Sequence, residues 1–148
     1  MTEPGPPALL RTLVSWQTGR VSTLGARLTA ARMPLEARSD FAVLAALQEY
    51  GELSQAELGR RLGLDRNNVN GIVTRLENNG HVERRVDPAD RRRNIVDATD
   101  AGLRYLDDLN ARALDVQDEL LIALDPGERQ QLQALLEKVL ASHPAQPA

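Results

Sequence analysis

One segment in the middle of the chain, residues 64–80, constrains the fold more than any other. Its apolar residues recur at i, i+3, i+4 and i+7, the spacing of one face of an α-helix; they are Val69, Ile72, Val73 and Leu76. Asp65 stands where an N-cap residue should be, and Gly80 follows the last apolar residue as a C′ glycine would. The segment is therefore predicted to be a capped helix.

The opposite face of this helix is polar and nearly free of acidic residues; it holds Arg66, Asn67, Asn68, Asn70, Gly71, Thr74 and Arg75. A helix that only had to be soluble would more often mix Glu and Lys there. Asparagine pairs with adenine edges, and arginine pairs with guanine edges or phosphates. A glycine in mid-helix, such as Gly71, destabilises the helix by about 1 kcal/mol relative to alanine. A close approach to DNA explains the presence of this glycine at least as well as loose packing does. The face is predicted to read a major groove.

A second, shorter helix is predicted just before this one. Ser54 and Glu57 have the spacing of a capping box, and Gly63 ends the helix two residues before the next N-cap. Helix, tight glycine-containing turn and helix is the helix-turn-helix arrangement. Ser54 and Gln55, at the start of the first helix, are expected to contact the DNA backbone.

Downstream, the segments His81–Val86 and Asn94–Ala98 are rich in Val and Ile and are predicted to be two strands. The loop between them begins with turn residues and carries three arginines near its tip, Arg91, Arg92 and Arg93. This hairpin is interpreted as a wing whose arginines reach a minor groove or phosphates. Asp90 is expected to hold the hairpin and orient an arginine, since a carboxylate would repel phosphate.

These residues in combination resemble the MarR-type winged-helix transcriptional regulators. The similarity runs from Leu53 to Asp65, from Leu76 to Arg84, through the Asp-x-Arg of the wing (Asp90, Arg92), and into Thr99-Asp100-Ala101-Gly102. The resemblance covers nearly the whole chain. It implies a mainly α fold (an α+β winged helix-turn-helix) with long N- and C-terminal dimerisation helices. It further implies a homodimer, most simply a repressor, on a pseudo-palindromic operator.

The expected domain organisation follows from the apolar periodicity on both sides of the motif. Residues 1–7 hold three prolines and are expected to be a disordered arm. Residues 8–38 and 100–142 are assigned to a helical dimerisation lobe, residues 39–99 to the DNA-binding domain, and residues 143–148 to a frayed tail. In detail, the first helix is expected to run unbroken to about Arg32, and the second to be capped by Ser39 or Asp40. Residues 51–53 are expected to form a minimal third strand beside the wing. Thr99 is expected to cap a helix that reaches Leu124, and Asp125 to cap the last helix.

Charge is distributed unevenly along the chain. The net charge is −3, but residues 60–93 contain nine arginines against five acidic residues. A basic segment within an otherwise acidic chain indicates that one face of the protein binds a polyanion such as nucleic acid. No run of about 18 apolar residues or secretion signal is visible, so a cytoplasmic protein without membrane partners is the simplest interpretation.

The sequence offers no pattern of catalysis or metal binding. It contains no cysteine, which excludes a disulfide or a thiol switch, and its two histidines are far apart. No nucleophile–base pairing or phosphate loop is present, so neither an enzyme nor a cofactor is expected. The resemblance implies instead a small aromatic or anionic effector between lobe and winged domain, near Trp16, Arg20 and Phe41. Trp16 alternatively packs as an interface aromatic.

Two alternatives stay open at this point. The chain could be a DNA-binding regulator that responds to no ligand. It could also be a winged-helix protein–protein module whose arginines meet an acidic partner. Competition by unrelated duplex DNA at rising salt separates the second from the first, because only a DNA-binding protein shows the counterion-release slope.

Overall fold

The computed structural model describes residues 4–144. Residues 1–3 of the expected arm and residues 145–148 of the expected tail lie outside this range. The described residues form seven helices and three strands: α1 Ala8–Arg11, α2 Val14–Arg32, α3 Leu35–Tyr50, β1 Leu53–Ser54, α4 Gln55–Leu62, α5 Arg66–Asn78, β2 Val82–Val86, β3 Asn94–Ala98, α6 Asp100–Leu120 and α7 Pro126–Ala141. The mainly α winged helix-turn-helix fold is thereby confirmed.

Four helices begin at the caps that the sequence indicates. The Ser54 hydroxyl accepts from the Glu57 amide at 3.2 Å, and the Glu57 carboxylate accepts from the Ser54 amide at 2.8 Å. Hydrogen bonds that the Glu57 carboxylate accepts from the Ser54 amide and hydroxyl lower the pKa of Glu57. The side chains of Asp65, Thr99 and Asp125 each accept from the amide three residues on and so cap α5, α6 and α7. The bond from the Glu128 amide likewise lowers the pKa of Asp125.

Three helix boundaries differ from the sequence prediction. The first helix is broken at Thr12 and Leu13, where the Gln17 side chain donates to the Arg11 carbonyl at 2.8 Å. The next helix, α3, begins at Leu35 after Pro34, so Ser39 and Asp40 lie inside it and cap nothing. Extended backbone at Met33 is what a residue before proline adopts. Helix α6 ends at Leu120, and residues 121–124 form a turn.

The three strands form one antiparallel sheet in the order β1-β3-β2. Val82 pairs with Ala98 and Val86 with Asn94, which confirms the predicted hairpin, while Leu53 pairs with Val96 to add the expected third strand. The main core lies between this sheet and helices α3 to α6; its fully buried side chains include Leu44, Leu58, Val69, Val73, Leu76 and Val96. The sheet and core fix the orientation of α5 relative to the wing.

Helices α1, α2, α6 and α7 form the second part of the structure. Helix α2 packs along α6 and is tied to it by an ion pair between Arg32 and Glu119. Arg129 at the start of α7 pairs with Asp118 of α6 at 2.7 Å. These helices and the short segments between them leave many large apolar side chains exposed: Leu9, Leu13, Val14, Leu114, Ile122, Leu135, Leu136, Val139 and Leu140. A single copy of the chain therefore exposes a broad apolar surface.

Candidate nucleic-acid interface

A tight turn joins α4 to α5. Gly63 ends α4 with a φ of 65°, and the Leu64 amide donates to the Gly59 carbonyl at 2.9 Å. A Cβ on Gly59 would lie 2.9 Å from the Leu64 carbonyl oxygen, so a side chain there would push the turn apart. The role of Gly59 was not apparent in the sequence, because a glycine inside a short helix gives no local sign of such an approach.

Helix α5 buries one face and leaves the other open to solvent. Val69, Ile72, Val73 and Leu76 are buried as predicted. The open face carries Arg66, Asn67, Asn68, Asn70 and Gly71, all exposed. The Asn68 side chain donates to the Asp65 carboxylate at 2.7 Å, which fixes that amide at the first turn of the helix. The open face is thus polar and cationic, and the side-chain amide of Asn68 is held in one orientation by Asp65.

Gly71 provides a direct test of this open face. An added Cβ would meet no atom within 4 Å, so Gly71→Ala is expected to raise the free energy of unfolding by about 0.5–1 kcal/mol, because alanine favours helices. If the face meets DNA closely, the same methyl group should weaken duplex binding by about tenfold, or about 1.4 kcal/mol. Urea denaturation and fluorescence anisotropy measure the two effects. A stabilised variant that binds DNA like the wild type would show that Gly71 makes no close approach.

Arg84 of β2 joins the wing to both helices of the motif. Its Nη1 donates to Gln55 Oε1 at 3.3 Å and to Asn70 Oδ1 at 3.0 Å. Its Nη2 donates to Thr74 Oγ1 at 3.2 Å and to Glu77 Oε1 at 3.0 Å. We call these five residues the Arg84 cluster. The sequence does not indicate this role for Arg84, because an arginine in a strand gives no sign of partners on two other elements.

Arg75 points away from the open face. Its Nη2 donates to the buried Asp40 carboxylate at 2.5 Å, and Asp40 also accepts from the Tyr105 hydroxyl of α6 at 3.0 Å. Burial and then the Asp40 contact raise the pKa of Tyr105. The ring of His81, just after α5, stacks on Tyr105 with centroids 4.4 Å apart. Arg75 therefore anchors α5 to α3 and α6, where the sequence alone predicts a DNA contact.

The wing is held by its own acidic residues. The Asp90 carboxylate accepts from the Arg92 amide at 3.0 Å, and the Asp87 amide donates to the Arg93 carbonyl at 2.8 Å. Arg92 is 94% exposed, whereas Arg93 donates to the Ser54 hydroxyl at 3.2 Å. Ser54 is only 3% exposed, so the structure uses it as a helix cap and a partner for the wing. Arg91 and Arg92 are the arginines left open at the tip.

The residues suggested for an effector lie on two helices. The Arg20 guanidinium lies 5.5 Å from the centroid of the half-buried Trp16 ring on α2. Phe41 lies on α3 and packs against the main core and against a second, smaller cluster of Met33, Ala37 and Leu109. An open cavity of about 310 Å³ on α2 runs between Arg20 and Arg27, and its lining includes neither Trp16 nor Phe41. The structure thus brings Arg20 and Trp16 together, whereas Phe41 packs α3 against the protein core.

Within residues 4–144, no group of three or more His, Asp or Glu side chains stands close enough to hold a metal ion. None of the described helices is long and apolar enough to cross a membrane.

Comparison with known proteins finds transcriptional regulators by family profile and by sequence. Residues 37–93 match the sequence profile of the MarR family. The HTH-type transcriptional repressor NicR of Pseudomonas putida is 36% identical over 102 residues, which make up 69% of this chain and 65% of the repressor. The aligned part thus spans about two thirds of that relative's length.

Solved structures extend the similarity beyond the motif. Wild-type MarR from E. coli, in its apo form, superposes with a TM-score of 0.74 at 26% identity, covering 94% of this chain and 99% of that one. The PcaV transcriptional regulator from Streptomyces coelicolor, in complex with its natural ligand, gives a TM-score of 0.70 at 28% identity, covering 94% and 96%. The terminal helices therefore belong to the shared fold together with the winged domain.

Proposed function

Because this chain belongs to the MarR family, we propose that it is a sequence-specific regulator of transcription that binds double-stranded DNA as a homodimer. Its target is a pseudo-palindromic operator, on which it acts as a repressor. It performs no catalysis and requires no cofactor. Its target is chromosomal DNA, so the compartment in which we propose that it acts is the cytoplasm.

The observation that carries this proposal is the open face of α5 next to the wing. The face presents amide and guanidinium groups, while its apolar residues are buried in the core. Arg84 joins the wing to α5, and the exposed Arg91 and Arg92 stand at the wing tip. A helix of this kind fits a major groove, and cationic side chains beside it fit the flanking phosphates or minor groove.

The proposed DNA contacts differ from the sequence-based set in two residues. Ser54 and Arg75 act by positioning other groups, since one is buried and the other is paired with Asp40. Asp90 orders the wing and contacts no DNA. The residues proposed to face the duplex are Gln55, Arg66, Asn67, Asn68, Asn70, Gly71, Thr74, Arg91, Arg92 and Arg93.

Arg92 is the best single probe of backbone contact. Its side chain is almost fully exposed, and its 3.6 Å ion pair with Asp90 is open to solvent, so Arg92→Gln should leave stability unchanged. We expect weaker binding to specific and random duplexes alike, and a plot of log K against log salt that is shallower by about one unit. Arg104→Gln, on the exposed surface of α6, is the matched control. An unchanged slope would mean that the wing tip meets no phosphate.

The effector proposal rests on Trp16 and Arg20. An aromatic ring beside a guanidinium suits an aromatic carboxylate, through stacking and a charge-assisted hydrogen bond. Such a ligand releases DNA only if it binds the free conformation better than the bound one. Salicylate titrated into the protein–DNA complex should quench Trp16 fluorescence and release DNA, and Trp16→Ala or Arg20→Ala should abolish both. Release that survives both substitutions would place the effector elsewhere.

A further inference from the structure

The Arg84 cluster restricts what the α5 face can offer to a base. A guanidinium group only donates hydrogen bonds and never accepts one. Arg84 can therefore hold the side-chain amides of Gln55 and Asn70 only through their oxygen atoms, at 3.3 and 3.0 Å. The NH₂ groups of both amides are consequently turned away from Arg84, and Asn70 is exposed on the open face.

From this geometry we propose that Arg84 is a positioning residue that makes the central part of the α5 face a donor-only surface and so favours guanine. The inference rests on the proposed function. Guanine presents two neighbouring acceptors, N7 and O6, in the major groove, whereas adenine presents one acceptor and one donor. Asparagine reads adenine by presenting both amide atoms to the base, whereas the Asn70 oxygen is turned towards Arg84 and its NH₂ group is turned away from it. The sequence alone predicts adenine at this position; the structure assigns guanine.

Arg84 acts through the amides and does not itself contact DNA. Its side chain is 19% exposed, and its charge is paired with Glu77 at 3.0 Å. The neighbouring Arg85 lies on the other face of the same strand, is 51% exposed, and pairs with Glu52 at 2.6 Å. The two arginines therefore form a matched pair on one strand, one inside the cluster and one outside it.

The first test selects duplexes from a random library with the full chain, as wild type and as Asn70→Ala. We expect the base pair whose selection is lost in Asn70→Ala to be G·C. An A·T pair there, or no altered position, overturns the inference. Failure of the wild type to select any sequence would instead refute the proposed function, so the two failures can be told apart.

The second test separates positioning from direct contact. Arg84→Lys keeps the charge but cannot reach four acceptors at once; we expect the ratio of specific to random binding to fall by about tenfold, the equivalent of about 1.4 kcal/mol. The salt slope should stay at its wild-type value, and Arg85→Lys should change neither quantity. A ratio within twofold of wild type overturns the proposal, as does an equal loss on both duplexes with a shallower slope.

A spectroscopic measurement on the wild type keeps the proposal testable if Arg84→Lys does not fold. Nitrogen-15 NMR should show separate, slowly exchanging Nη resonances for Arg84, because both Nη groups are held. In Asn70→Ala the Nη1 signals should change, while those of Arg85 should not. Averaged Arg84 signals in the wild type would show that the amides are free to turn, which would overturn the inference.

Discussion

The free energy of unfolding of the Gly102→Ala variant is expected to fall by about 3 kcal/mol or more. Gly102 is buried in the first turn of α6 against the backbone of His81. An added Cβ would overlap the His81 carbonyl oxygen and lie 2.9 Å from its carbon. Backbone cannot move aside as a flexible side chain would, so the contact between α6 and the segment that joins α5 to β2 must open.

The His81 carbonyl has little freedom to move, which is why the effect should be large. It accepts from the Thr99 amide at 3.1 Å, and the His81 amide donates to the Leu76 carbonyl at 2.8 Å. Urea denaturation measures the loss. The control is Gly19→Ala on α2, where a Cβ meets no atom within 4 Å and helix propensity predicts a gain of up to about 1 kcal/mol. Equal stability of wild type and Gly102→Ala would contradict this packing.

Two carboxylates placed on the apolar stripe of α7 are expected to dissociate the proposed dimer. Leu136 and Leu140 are 42% and 69% exposed in a single chain, and Leu135 and Val139 lie beside them. If the partner covers them, each leucine contributes about 1.5–3 kcal/mol. Leu136→Glu with Leu140→Glu should therefore raise the dimer dissociation constant by about a hundredfold or more.

The matched control adds the same two carboxylates to the opposite face of α7. Ala134 and Ala141 are exposed and lie away from the leucine stripe on the helix. Sedimentation at micromolar concentration should show a dimer for the wild type and for the variant Ala134→Glu with Ala141→Glu. The interface of that dimer is expected to bury on the order of 2,000 Å². The Leu136/Leu140 variant should sediment as a monomer or aggregate. A dimer of unchanged affinity would place the stripe outside the interface.

Local signals in the sequence predicted much of the fold. Asp65, Thr99 and Asp125 cap their helices by bonds to an amide three residues on, so each signal lies within one turn. The wing could also be predicted from the sequence, because turn residues and runs of β-branched residues specify a hairpin over a short segment. The boundary at Leu35 has no such signal, because the apolar spacing begins later than the helix, whose first two residues are exposed.

The parts of the candidate site that could not be predicted from the sequence depend on contacts between residues far apart in the chain. Arg75 and Asp40 are 35 residues apart, and no periodicity shows that the arginine turns towards α3. Arg93 and Ser54 are 39 apart and meet only because β1 pairs with β3. Residue type predicts Arg75 and Ser54 to be DNA contacts, whereas the packing of elements pairs Arg75 with Asp40 and buries Ser54 as a helix cap. The open face of α5 needed only its own helical periodicity to be found.

The stoichiometry of the protein on a selected duplex tests the central claim most directly. The full wild-type chain would select duplexes from a random library, and sedimentation would count the chains bound to a labelled selected duplex. We expect two chains per duplex and a selected site of two inverted half-sites about one helical turn apart, or about 10 base pairs. One chain per duplex, a site without inverted symmetry, or equal binding to random DNA would contradict the proposed homodimeric regulator.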